Sequence, residues 1–285
     1  MKIKLAKKFI NFFLACYKAF IIGLALMLSS VYLSACKPAS ERLYNEAYAE
    51  IEKGHFRIAV DLLEKSAAAE KVEILKTKYL LEAARIARFE IQEFDRAIRM
   101  YRAVILQSSN EDQRIGAQQA IAEIYLENLQ SYSLALKELQ ILEPLIKKDK
   151  KDIKFNVKLK IAQTQYLTGR YEPALDEINT ALRDAKSEAS SFLKLKAQIL
   201  VAQKKYADAI AVYMEILKRD VQYFETENLF IATSVVYEEN EEFDAALDFL
   251  KKYEKQIKDK PYYELRYKRL KERQANRPFY KGRRK

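Results

Sequence analysis

The chain has 285 residues, with 51 Lys and Arg against 40 Asp and Glu for a formal charge of +11, and only one histidine, two cysteines and five glycines. So few histidines, cysteines and glycines exclude a Cys/His metal cage, a serine–histidine triad and a glycine-rich phosphate loop, and no metal, cofactor or small-molecule substrate is expected. Sparse Gly and Pro in a chain rich in Ala, Leu, Glu and Lys predict an all-helical fold, and no run alternates with the period of a strand.

The first segment carries Lys2, Lys4, Lys7, Lys8 and Lys18 and no acid, followed by the apolar stretch 19–35, AFIIGLALMLSSVYLSA. That run is short for a membrane span and ends in Ser-Ala rather than in a basic flank, so the order basic, apolar, small reads as a cleaved export signal. An uncut inner-membrane anchor is the alternative. A prefix of 35 residues is longer than the usual signal of about 15 to 30.

The tetrad Leu33, Ser34, Ala35 and Cys36 resembles the lipobox of bacterial lipoproteins. The resemblance implies a diacylglycerol on the Cys36 sulfur, cutting just before it, and acylation of the new amino terminus. Cys16 is then discarded with residues 1–35, and the one remaining cysteine has no disulfide partner. Two or more acyl chains hold a protein stably on a bilayer, at about 0.8 kcal/mol per buried methylene. In enterobacterial lipoproteins an Asp after the cysteine marks retention in the inner membrane. Lys37 here implies the outer membrane, facing the periplasm.

From residue 40 onwards one pattern returns six times, an aromatic three residues before an alanine: FRIAV at 56, FDRAI at 94, YSLAL at 132, YEPAL at 171, YADAI at 206 and FDAAL at 243. The alanines, Ala59, Ala97, Ala135, Ala174, Ala209 and Ala246, are 38, 38, 39, 35 and 37 residues apart, the signature of a helical repeat array. A second small residue lies nine before the aromatic as Ala47, Ala162, Ala197 and Ser234. In the second and third copies Ala84 and Ala122 lie ten before it, which predicts a turn one residue longer. After each aromatic, apolar residues recur at helical spacing, as in Ala174, Leu175, Ile178, Ala181 and Leu182, so one face is buried.

These residues resemble the tetratricopeptide repeat (TPR), two antiparallel helices with an aromatic opening the second and a small residue at their crossing. Gly54 and Gly169 stand where the family has its turn glycine. The resemblance implies a right-handed α-solenoid of about six repeats over residues 36–253. A polar capping helix is expected at 254–274, with Tyr263, Leu265, Tyr267 and Leu270 covering the last repeat, and a basic tail at 275–285.

Charge is unevenly placed: residues 254–285 hold 13 basic and 4 acidic side chains, so the basicity of the exported chain belongs to its end. An exported cationic tail meets anionic lipid or an acidic partner, at up to about 1 kcal/mol per basic residue near a charged surface, rather than nucleic acid. His55 reads as a polar turn residue, and the acidic run 237–244 as a solvated face rather than a catalytic carboxylate pair.

In the TPR family the first helices line a concave groove for a peptide or protein. Carried over from each small residue, that groove takes in Tyr44, Tyr48, Arg85, Arg88, Gln119, Glu123, Gln163, Tyr166, Lys194 and Gln198. The family's basic clamp for a carboxyl terminus is not recognisable. A lipobox followed by such repeats resembles the lipoprotein subunit of the outer-membrane β-barrel assembly machinery and the pilotin-like lipoproteins of pilus assembly. The implied role is a non-catalytic scaffold in assembling an envelope complex, with a recruiter of a peptidoglycan or other envelope enzyme as the alternative.

Overall fold

Turns set the layout of the helices. The computed structural model describes residues 38–147, 149–184 and 189–276, which form helices and turns and no strand; Cys36, the segment before it and the tail from 277 lie outside the described residues. Six helix hairpins follow the six motifs. They are α1 (Ala39–Glu52) with α2 (Phe56–Ala69), and α3 (Glu73–Phe89) with α4 (Phe94–Gln107). Next come α5 (Glu111–Glu123), continued by a π-helical turn Ile124–Asn128, with α6 (Tyr132–Leu142), and α7 (Lys151–Leu167) with α8 (Tyr171–Asp184). After these, α9 (Ala189–Ala202) pairs with α10 (Tyr206–Arg219). A short α11 (Val221–Thr226) precedes α12 (Leu229–Glu239) with α13 (Phe243–Lys252), and α14 (Lys260–Ala275) follows. The second helix of each hairpin opens on the motif aromatic.

In each turn the residue two before that aromatic has a positive φ: Gly54, Gln92, Gln130, Gly169, Lys204 and Glu241. The left-handed residue ends one helix and reverses the chain into the next. In four of the six hairpins its backbone N–H bonds three residues back and the next N–H five back, as in Gly54 to Ile51 at 2.9 Å and His55 to Glu50 at 2.8 Å. Of the longer turns expected in the second and third copies, only the second is present as a turn. In the second, four residues separate α3 from α4, and the Glu93 N–H reaches back to Ala87 at 2.8 Å. In the third the extra residue is taken up in the helix itself, where the Leu129 N–H bonds the Ile124 carbonyl five residues back at 2.9 Å.

The small residues are where the helices cross. All six motif alanines are fully buried, and their partners Ala47, Ala84, Ala122, Ala162, Ala197 and Ser234 are at most 1% exposed. Small buried side chains at these positions let the helices approach closely.

The described residues divide into two compact units, one up to Ala117 and one from Gln118 onwards, with the boundary inside α5. In the first, α2 packs against both α1 and α3, and α3 against α4. Arg96 on α4 joins the second helices of its two hairpins. It donates through Nη2 to Glu64 Oε2 at 2.6 Å and also pairs with Asp61 on α2 and with Glu93.

The second unit holds one cluster around Ala162, Ala174, Ile178, Phe192 and Ile199. A larger one takes in Phe224, Phe230, Phe249 and Leu250 together with Tyr263 and Leu270 of α14. The capping helix expected from 254 begins at Lys260, where Asp259 accepts the Tyr262 N–H at 3.0 Å and Pro261 occupies the first turn. Tyr263 and Leu270 are buried, whereas Leu265, expected to help cover the last repeat, is 43% exposed. The unforeseen α11 starts in the same way, its Asp220 accepting the Tyr223 N–H at 2.9 Å.

One acid of the run 237–244 departs from the solvated reading. Glu238 is 4% exposed and ion-paired with both Arg266 and Arg273 of α14, because the capping helix lies over it. His55 stays in its turn, Nδ1 lying 2.7 Å from Glu50 Oε2.

Candidate functional site

Tyr44 and Tyr48 lie one helical turn apart on α1, with ring centroids 4.8 Å apart. Each donates its phenolic hydrogen to one oxygen of Glu82 on α3, at 3.4 Å and 3.2 Å to Oε1. The Tyr44 ring also meets that of Tyr79 at 4.6 Å and carries Lys78 Nζ above it at 4.7 Å. Burial, followed by the nearby Glu82 carboxylate, pushes the Tyr44 phenol above its ordinary value. The hydrogen bond with Tyr44, burial and Glu82 do the same to Tyr48. Both phenols therefore stay protonated donors across the physiological range.

The other Glu82 oxygen, Oε2, is buried and accepts no hydrogen bond among the described residues. A concavity of about 260 Å³ opens here, lined by Tyr48, Ile51, Glu82, Arg85, Ile86, Phe89 and Glu90. Phe89 is 59% and Tyr48 43% exposed, so two aromatic faces border a carboxylate with a vacant acceptor position. An ammonium or guanidinium group suits that combination, since carboxylate and aromatic faces both attract cations. Glu82 and Phe89 were not among the expected groove residues.

Arg85 lines this concavity, but Arg88 does not. It is 5% exposed, with its guanidinium 4.7 Å from the Phe89 ring. Four residues after the small one is a packing register: it holds half-buried Ile51 and Val201 and buried Glu238 in other hairpins. Tyr166 occupies the same register and is half-buried, its ring 6.0 Å from that of Tyr171.

In the second unit Gln119 and Glu123 come together on α5, where Gln119 Nε2 donates to Glu123 Oε1 at 2.9 Å. Lys160 of α7 donates to the same oxygen at 2.6 Å. Lys194 on α9 pairs with Glu227, Gln163 is half-buried and Gln198 is exposed. Lys160 was missed, as Glu82 was. Both stand two residues before their small residue, and each meets a residue one after the small residue of the preceding hairpin, Tyr48 or Glu123. That shared register is the sequence signal that would have found them.

Two further hollows lie in the second unit. One of about 520 Å³ is lined by Lys151, Lys154, Phe155 and Lys158, and one of about 720 Å³ by Glu238, Glu241, Phe243 and Arg273 among others. Among the described residues no group of three or more His, Cys, Asp or Glu could hold a metal ion. Among them also, no helix is long and apolar enough to cross a membrane.

Residues 159–222, from within α7 to the start of α11, match the tetratricopeptide repeat family. No curated protein matches the sequence. The fold is similar to that of a tetratricopeptide repeat protein from Parabacteroides merdae, with a TM-score of 0.57 at 15% identity over 84% of this chain and 88% of that one. It is similar also to the apo form of RapI, with a TM-score of 0.58 at 11% identity over 87% of this chain and 80% of that one. A third is a STAND signal-transduction ATPase with a tetratricopeptide repeat sensor from Pyrococcus horikoshii. There the TM-score is 0.58 at 19% identity over 79% of this chain and 37% of that one. At these identities the likeness is one of fold.

Proposed function

We propose that this chain of TPR-type helix hairpins is a non-catalytic protein-interaction scaffold, tethered to a bacterial envelope membrane through acyl chains on Cys36. Its body works in the periplasm, at the outer membrane, as an adaptor in assembling an envelope complex. Such a fold has first-helix surfaces to offer rather than a cleft of converging acids and bases.

The observation that carries the binding reading is Glu82. Two tyrosines hold one of its oxygens, while the other, buried beneath the concavity that Tyr48 and Phe89 line, accepts no hydrogen bond among the described residues. The partner this arrangement suits is an extended segment that inserts a lysine or arginine side chain. Its aliphatic stem would lie along Ile51 and Ile86 and its charge against Glu82, with Arg85 turned to the partner's neighbouring acid or to solvent.

The test places a photo-cross-linking amino acid at Glu90, on the rim of the concavity, in the full chain inside its own cells. A discrete adduct that disappears with Glu82→Gln and with Phe89→Ala supports the reading. An adduct indifferent to both moves the binding surface elsewhere. Intact-mass measurement of the membrane-extracted chain tests the tether. A mass for residues 36–285 plus acyl chains, lost in Cys36→Ala, supports lipidation, and an unmodified full-length mass overturns it.

A further inference from the structure

The edge of the first unit where second helices hand over to first helices carries apolar side chains that the core does not use. Val72 is 53%, Ile74 70% and Leu75 38% exposed around the start of α3, and Leu106 is 84% exposed at the end of α4. A hydrogen bond brings these into one neighbourhood. Glu73, between Val72 and Ile74, accepts the backbone N–H of Ser109 through Oε1, which fastens the loop after Leu106 against the start of α3.

The beginning of α1 is fixed to the same edge. Ser66 Oγ donates to the Ser40 carbonyl at 2.6 Å, and Ser40 Oγ donates to Glu70 Oε2 at 2.8 Å. The other Glu70 oxygen accepts the N–H groups of Lys71 and Val72 at 2.8 and 2.9 Å. A single side chain thus links Ser40 to Val72. Cys36 precedes Ser40 by four residues, at most about 14 Å of extended chain.

We propose that this edge, through Val72, Ile74, Leu75 and Leu106, rests on the lipid bilayer to which the N-terminal segment tethers the chain. The proposal rests on the membrane-tether reading, but not on which tether is used. Acylated Cys36 and an uncut apolar segment 19–35 both bring Ser40 to the bilayer surface, and with it the side chains bound to Glu70 and Glu73. Apolar groups in contact with the acyl boundary add a second attachment beside the first, and they fix which end of the hairpins faces lipid. Ile58, 51% exposed, is the internal control, since it lies at the other end of α2, about 16 Å along the helix axis from Ala69.

The full chain, purified from bacterial membranes, is placed in phosphatidylethanolamine–phosphatidylglycerol vesicles containing a phospholipid with a diazirine near the glycerol end of its acyl chain. Flotation reads retention, and peptide mass mapping after illumination reads contact. Lipid adducts on Val72–Leu75 and Leu106, absent from Ile58, and lost in the Ile74→Ser, Leu106→Ser double variant while that variant still floats, are the expected result. A retained chain with adducts equally frequent at Ile58, or with chain-to-chain cross-links at Ile74 in place of lipid, overturns this orientation and leaves the tether standing. A chain that does not float overturns the tether and the orientation together.

Discussion

Lys160 Nζ lies 2.6 Å from Glu123 Oε1, tying two first helices across 37 residues of sequence. Both side chains are largely shielded, at 17% and 20% exposure, so the pair exceeds an ordinary surface bridge. Lys160→Met alone is expected to lower stability by about 1 to 2 kcal/mol, because the shielded Glu123 carboxylate then loses its cationic partner. In a urea-denaturation cycle with Glu123→Gln, the double variant should lose less than the sum of the singles.

Glu238 is a buried carboxylate held by two guanidinium groups from the capping helix. Replacing it with Ala leaves Arg266, only 12% exposed, without its opposite charge, at about 3 kcal/mol or more. The loss should appear as faster hydrogen exchange and earlier tryptic cleavage in α14 than in α7, read by mass spectrometry.

Gly54 and Gly169 hold φ of 76° and 72°, and a Cβ built on either meets nothing within 4 Å. Any penalty for Gly54→Ala is therefore one of backbone conformation, about 1 kcal/mol. Lys204 has φ 59° in the equivalent place, so Lys204→Gly should be neutral or stabilising. Thermal melts of the two single variants should move in opposite directions or only the first should move.

Overpacking gives a third contrast. Ala209 is fully buried where α9 and α10 cross, whereas Ala211, two residues on, is exposed. Ala209→Leu is expected to cost roughly 1 to 3 kcal/mol and Ala211→Leu close to nothing, measured as the urea midpoint at constant slope.

Glu70 supplies a pH dependence. The Val72 N–H, then the Ser40 hydroxyl and the Lys71 N–H, hold its carboxyl below the ordinary range, against a smaller upward push from burial. A depressed carboxyl contributes stability that is present above its unfolded value, about 4.3, and is lost as pH falls through its lower folded value. Wild type should therefore exceed Glu70→Gln in stability near neutrality, and the gap should close on acidification below about pH 4. Urea melts of both proteins at several pH values check it.

The repeats were legible because close helix crossings demand small residues, and that demand repeats visibly in Ala59 to Ala246. The extra residue in the second and third hairpins could be counted from Ala84 and Ala122, though only the second places it in the turn and the third takes it into the helix. Partners were harder to read. Glu82 and Lys160 reach residues 34 to 38 positions earlier, and only the stacking of one hairpin on the next brings those separations together. Arg88 and Glu238 misled for a related reason. A charge in the sequence looks solvent-bound, but their register faces a packed neighbour, so each is buried despite it.

The six left-handed turn residues have a practical consequence. Because chain reversal there is imposed by the backbone, an insertion between paired helices must be absorbed by the turn or the helix before it, as the π-helical turn at Ile124–Asn128 shows. Connections between hairpins differ in length, from the three residues after Ala69 to the stretch between Leu142 and Lys151. Tags, probes and grafted segments therefore belong in the connections between hairpins rather than in the turns within them, where added length must be taken up by the turn or the helix.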